Sequence, residues 1–249
     1  MSKYLKNFET HVEYEAYTAD TENFIKPNVS YCINVPNEVH YNPLEPTPTR
    51  DYVEIGGVKW AIKNLGAEKI TDIGLYYQWG DTQGYTADQV GEGDGKKYFG
   101  WGDYKFCNVP SSPRESNITK YNNTDGKTEL DAEDDAATVA LGSDWRIPSA
   151  NELIHLNDYT NSAYTYDYKS TGVNGLILTA KDGSGAELFL PDGGYCGDGR
   201  FYDNAHYLSG SRNPENALDG GHYYFSNSRV NFSSIHRYYG ALIRPVFIK

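Results

Sequence analysis

Cysteine, acidic and glycine-rich clusters are the first places to look for chemistry in this chain. The three cysteines, Cys32, Cys107 and Cys196, are an odd number at wide spacing, so they make neither a disulfide framework nor a CxxC metal pair and are expected as free thiols. Gly91-Glu92-Gly93-Asp94-Gly95-Lys96-Lys97 has glycines and lysines but not the GxxxxGK[ST] spacing of a phosphate loop, and is expected as a surface loop. A calcium-loop register on Asp125-Gly126 puts Tyr121 at the first ligand position and Ala132 where a bidentate Glu is needed. Asp131, Glu133, Asp134 and Asp135 are expected to sit at a helix N-terminus, where the dipole favours them. No nucleophile, base and orienting group are fixed in relation to one another, so no enzyme is expected, and neither metal nor cofactor.

Residues Tyr195 to Tyr239 differ from the rest. These 45 positions hold seven Tyr, six Ser, five Asn, five Gly and three of the six His, with no Lys and one Glu, Glu215. Tyr supplies large amphipathic contact area with two torsions to freeze, and Ser, Gly and Asn supply adaptable hydrogen bonds, the mixture of antibody loops. The absence of Lys favours an interface over a merely solvated face; ordinary Tyr- and Ser-rich surface strands are the alternative. Alternation in β structure makes Phe225, Val230, Phe232, Ile235, Ala241 and Ile243 inward. Tyr224, Asn227, Ser228, Asn231, Ser233, Ser234, His236, Tyr238 and Tyr239 are left as outward candidates. Turns are expected near Ser226 to Arg229 and Ser233 to His236. In the preceding loop Arg200, Tyr202, Asp203, His206, Ser211, Arg212 and Asn213 are expected to join the same surface.

The elements that must position this segment can be read from turns and caps. Tyr52–Ile55 and Val58–Ala61 flank Gly56-Gly57, a hairpin pattern. Ala132, Ala136, Val139 and Ala140 predict a helix from Asp131 to Leu141, stopped by Gly142. Ser149 and Glu152 form a capping-box pair for a second helix with Leu153, Ile154 and Leu156 as its buried stripe. Leu176–Ala180 and Ala186–Leu190 flank Asp182-Gly183-Ser184-Gly185, a second hairpin. Trp145 reads as a core anchor with Arg146 on a backbone carbonyl, and Arg244 has the same structural reading within a terminal apolar strand.

At 249 residues the chain has room for one large domain, or one domain with an appendage, at ~150 residues each. Three prolines between Pro43 and Pro48 suggest a semi-rigid connector, dividing an N-terminal attachment segment (1–48) from a main domain (49–249). That first segment is expected to be extended or partner-dependent for order. The formal charge of −12 argues against nucleic acid and anionic membranes as partners. No apolar run approaches the roughly 18 residues of a membrane span, and the N-terminus lacks a signal-peptide core. Synthesis in a reducing cytoplasm is expected.

Several of these segments together resemble one family. Gly57-Val58-Lys59-Trp60-Ala61, Asn64-Leu65-Gly66, Gly74-Leu75-Tyr76-Tyr77-Gln78-Trp79-Gly80, Asp144-Trp145-Arg146-Ile147-Pro148-Ser149 with Glu152-Leu153, Arg237-Tyr238-Tyr239-Gly240 and Arg244-Pro245-Val246 resemble the Fibrobacter succinogenes major paralogous domain family, in the family's order, over about residues 52 to 247. The resemblance implies an α+β, C-type-lectin-like fold: twisted antiparallel sheets, two short helices and long loops, with the chain ends of the domain as neighbouring strands. Members of this fold include the variable proteins of diversity-generating retroelements, in which adenine mutagenesis converts Asn codons to Tyr, Ser, Asp and His. Residues 195–246 resemble such a variable region. Asn7-Phe8-Glu9-Thr10-His11, Glu13-Tyr14-Glu15-Ala16-Tyr17 and Pro27-Asn28-Val29-Ser30-Tyr31-Cys32 resemble N-terminal segments of gut bacteriophage virion proteins.

The resemblance therefore implies a receptor-binding or adhesion protein of a virion. Its expected partners are a bacterial cell-surface protein or glycan and, through the N-terminal segment, other virion proteins. A non-diversified carbohydrate- or protein-binding module of the bacterial surface is the alternative. Calcium-dependent sugar-binding lectins of this fold carry Glu-Pro-Asn or Gln-Pro-Asp and Trp-Asn-Asp; here Asn213-Pro214-Glu215 is only the reversed order. Formylglycine-generating enzymes, a third reading, share the general fold and use a cysteine pair, for which Cys196 has no sequence neighbour.

Overall fold

The chain divides into two units, Met1–Arg50 and Asp51–Lys249. The computed structural model describes Asp51–Lys249 and, before it, the two-residue strands β1 (Asn7–Phe8) and β2 (Cys32–Ile33), paired in parallel. The attachment segment expected over 1–48 otherwise lies outside the described residues.

The second unit opens with β3 (Tyr52–Ile55) and β4 (Val58–Ala61), paired from Tyr52↔Ala61 to Ile55↔Val58. Gly56 and Gly57, at φ +61° and +79°, lie where other residues are strained, and two consecutive left-handed residues match the twist of a two-residue hairpin. After a long irregular stretch come α1 (Ala136–Leu141), β5 (Trp145–Arg146), α2 (Ala150–Tyr159) and β6 (Thr160–Thr165). Next are β7 (Gly175–Ala180), β8 (Glu187–Pro191), β9 (Tyr195–Gly197) and β10 (Arg200–Tyr202). The chain closes with β11 (Ala205–Arg212), β12 (Asp219–Phe225), β13 (Val230–His236) and β14 (Val246–Phe247).

These strands make sheets in the orders β3-β4-β14-β5, β6-β7-β8 and β11-β12-β13, with the hairpin β9-β10. All strand pairs of this unit are antiparallel. Strand exceeds helix, 34% against 14%, so the class is α+β. Val246 pairs with Trp60 on one side and Arg146 on the other, which places the first hairpin of the unit beside its last strand.

Leu153 and Leu156 of α2, three residues apart and so on one face, pack with Ile55, Trp60, Leu176, Leu178, Leu188, Leu190, Tyr207, Tyr223, Phe225 and Val246 in one core. Ile154, expected in that stripe, is 42% exposed; a step of one residue turns it about 100° away from Leu153. The capping box is present, with Ser149 Oγ accepting from Glu152 N and Glu152 Oε2 accepting from Ser149 N.

The first helix is shorter than the pattern Ala132, Ala136, Val139, Ala140 predicts. Asp135 caps it by accepting from Thr138 N at 2.9 Å, so Asp131 to Asp134 form a turn before the helix. Its buried residues are Ala136 and Ala137, while Val139 is 55% exposed. Trp145, expected as a core anchor, is half-buried and packs against Phe247 at 5.1 Å. The fully buried tryptophans are Trp60 and Trp79. Arg146 does donate to Ile147 O, and it also makes a two-pronged pair with Glu152 at 2.7 and 2.6 Å.

Candidate functional site

The register of β11, β12 and β13 sorts the Tyr- and Ser-rich segment into two faces. Ala205, Tyr207, Tyr223, Phe225, Val230 and Phe232 face the core. The opposite face carries the rows His206–Tyr224–Asn231 and Leu208–His222–Ser233. Leu208 is covered by Leu65, Tyr77, Ile147, Ala241 and Ile243, a second apolar cluster. Between Leu208 and Arg212 the pairing of β11 shifts register, and the Ser209 carbonyl, released from the ladder, accepts from Trp79 Nε1 at 2.9 Å.

A column of four rings rises from this face. His222 stacks on His206 at 4.4 Å, His206 on Tyr195 at 4.0 Å and Tyr195 on Tyr202 at 4.9 Å, with interplanar angles of 17°, 11° and 19°. The inner end is buried, His222 being 3% exposed, and the outer end, Tyr202, is 37% exposed. Tyr239 meets Tyr195 edge-on at 5.5 Å and lies 4.3 Å from Tyr238. Trp101 continues the network to Tyr238 and His236 at 5.1 and 5.7 Å. Edge-to-face and offset contacts of this kind contribute roughly 0.5–1.5 kcal/mol each beyond burial, so together they hold the rings in one arrangement.

Burial sets the charge of the two stacked histidines. Loss of water lowers His206 to about 4 and, with help from His206, His222 to about 3, so both are neutral at pH 7. Neither Nδ1 has a hydrogen-bond partner among the described residues. His236, at the rim, is the reverse: Asp219 Oδ1 lies 2.5 Å from its Nδ1 and raises it above the ordinary histidine value.

Of the sixteen expected surface residues, Arg200, Tyr202, Asp203, Asn227, Ser228, Asn231, Ser233 and His236 are exposed, and Asn213, Tyr224, Ser234 and Tyr239 are half-buried. Four are buried, which corrects the expectation. Ser211 accepts from Ala150 N at 2.8 Å and fixes the start of α2. Arg212 donates to Lys127 O, Asn213 O, Pro214 O and Asn123 Oδ1, tying two loops together. Tyr238 packs with Tyr104 and Ile118 in a third cluster, and His206 lies inside the ring column. Ser234 sits opposite Gly221 on the core-side face, where its hydroxyl accepts from Asn213 Nδ2. The expected turn at Ser226 to Arg229 is present, closed by Ser226 N donating to Arg229 O. The one at Ser233 to His236 is absent, because β13 runs unbroken to His236.

Trp101, Tyr195 and His222 were not among the expected surface residues. His222 is two residues before Tyr224, so strand alternation points to it, whereas Trp101 arrives from a distant loop and has no local signal.

Asp131, Glu133 and Asp134 are the grouping of metal-ligand side chains found among the described residues. Its centre is taken by an ammonium: Lys120 Nζ lies 3.0, 2.7 and 2.6 Å from the three carboxylates. Asp134 also binds Lys105 and the Tyr121 hydroxyl, so these acids organise a loop rather than load a helix dipole. Cys107 and Cys196 are both free thiols. Cys196 is buried, donates to Gly240 O at 3.4 Å and has its thiol pushed up by burial, which suppresses the thiolate that nucleophilic chemistry requires.

Comparison with protein-family models, with curated proteins and with solved structures finds no match to this chain.

Proposed function

We propose that this chain is a ligand-binding protein of C-type-lectin-like fold: a virion-associated variable protein that recognises bacterial surface ligands through a face diversified by a retroelement. The observation that carries the reading is the division of labour in β12 and β13. One side of these strands holds Tyr223, Phe225, Val230 and Phe232 against the core, while Tyr224, Asn231 and Ser233 share the other side. Asn227, Ser228 and His236 lie exposed at the strand ends. Substitution at such positions costs little stability, so the face tolerates variation that its scaffold does not. The Tyr- and Ser-rich composition supplies contact without Lys, whose side chain is costly to immobilise.

Residues 1–48 supply attachment to the particle in this reading. An enzyme of the formylglycine-generating type is disfavoured by the buried, protonated Cys196.

The diversification is tested in the DNA around the gene. A near-copy of the segment encoding about Gly199 to Val246, differing at adenines, should lie close by with a reverse transcriptase. Variation among isolates should concentrate at the codons for Tyr202, Asn227, Asn231, Ser233 and His236 and spare those for Tyr223 and Phe225. Equal variation at both sets, with no near-copy, contradicts the reading.

A further inference from the structure

We propose that a cleft beside the ring column binds a neutral sugar residue of a surface glycan, an inference that rests on the ligand-binding reading above and narrows its ligand class. The cleft has a volume of about 670 Å³, within the range of roughly 300–1,000 Å³ typical of small-ligand sites. Its walls come from β6, from the turn after β10 and from the tip of the β12–β13 hairpin, and its floor is Asp192 to Gly194.

Two kinds of group line it. The aromatic residues Tyr166, Phe201 and Tyr202 are 64%, 45% and 37% exposed, and the carbon-bound hydrogens of a pyranose pack on aromatic rings. Asp192, Asp203 and Asn227 supply carboxylates and an amide, groups that pair with vicinal hydroxyls. Among the described residues no Lys, Arg or His lines the cleft, so phosphate, sulfate and carboxylate ligands meet no compensating charge from them.

The polar groups are already held in place. The Tyr164 hydroxyl donates to Asp192 Oδ2 at 2.7 Å, the Tyr76 hydroxyl to Gly193 O at 2.5 Å, and Asn227 Nδ2 to the Tyr166 hydroxyl at 2.8 Å. Gly194 lies at φ +65°, and a Cβ there would stand 2.3 Å from Tyr202 O. The floor can approach the β9–β10 hairpin only because that side chain is absent. A preorganised floor lowers the ordering cost of binding a small, flexible, hydroxylated ligand. Its two carboxylates also attract a cation, which makes a lysine-rich peptide the competing occupant.

The test is isothermal titration of the full chain with neutral tetrasaccharides of glucose, galactose, mannose and N-acetylglucosamine, and with tetralysine. At least one neutral tetrasaccharide is expected to bind with a Kd near or below about 1 mM, with little change in 0.5 M salt, since screening weakens only charge-driven binding. Tyr166→Ala is expected to weaken that binding at least about tenfold with an unchanged Tm, and Tyr166→Phe to restore most of it. Val139→Thr, on the exposed side of α1 and outside the cleft, should leave it within about twofold. Absence of binding by every tetrasaccharide overturns the proposal, as does indifference to Tyr166→Ala or salt-sensitive binding of tetralysine alone. The outcome for whole bacteria separates the two ideas. If cells bind through the Ser233 face while no sugar does, the cleft proposal falls and the ligand-binding reading stands.

Discussion

The imidazoles of His206 and His222 stack at 4.4 Å with neither Nδ1 hydrogen-bonded among the described residues. Two buried, stacked rings favour the uncharged form, and burial keeps both there, at about 4 and 3.

Acid should therefore weaken the fold through this pair. In the unfolded chain a histidine takes its proton near pH 6.5, and in the folded chain these two do so only near 4 and 3. As pH falls from 6.5 toward 4 the unfolded state binds protons that the folded state refuses, so stability drops. The loss is on the order of 3 kcal/mol for His206 alone, at about 1.4 kcal/mol per pKa unit. Urea unfolding between pH 7 and 4 should show it, and His206→Phe/His222→Phe should flatten the slope. An unchanged slope in the double variant contradicts the account.

His236 should behave with the opposite sign. Its folded value is raised by Asp219, so the stability it adds is present below pH 6.5 and is lost as pH rises through that raised value. Titration of the His236 ring by NMR should give a value above the ordinary one, returning to it in Asp219→Asn.

Arg244 is buried and donates from Nε to Asn64 Oδ1, from Nη1 to Ala61 O and from Nη2 to Phe189 O. Arg244→Ala strands those three acceptors and should cost about 3–5 kcal/mol. Arg244→Lys should recover little, because an ammonium cannot reach in three fixed in-plane directions. Recovery of wild-type stability by the lysine variant, measured in urea, would overturn this assignment.

The two tryptophans of the central motifs should separate in thermal and urea melts. Trp79 is 1% exposed, holds the Ser209 carbonyl and carries the Arg237 guanidinium 4.4 Å above its ring; Trp79→Ala should cost about 3–5 kcal/mol. Trp145, half-buried against Phe247, should cost about 1–2 kcal/mol. Equal losses would show that Trp145 anchors the core after all.

Local rules account for much of what the sequence made legible. The Gly56-Gly57 turn, the Ser149/Glu152 box and the alternation of Tyr224 with Phe225 each act over a few residues, and the corresponding elements are present. What escaped was set by distant partners. The strand β6 has no apolar alternation of its own and is a strand because β7 pairs with it along its whole length. Arg212 and Tyr238 look like surface residues in sequence. They are buried because loops from Lys127, Asn123, Tyr104 and Trp101 close over them. Asp131 to Asp134 fit a helix start by composition, but Lys120 and Lys105 bind their carboxylates and leave them in a turn.

The most direct measurement is binding of the labelled full chain to whole bacteria of several gut species, compared with the variant Tyr202→Ala/Ser233→Lys/Tyr239→Ala. None of these three side chains is fully buried, so the variant should melt within a few degrees of wild type. The account predicts saturable binding to at least one species that the variant loses by about a hundredfold or more. Binding retained by a folded variant, or no binding to any species, would contradict it.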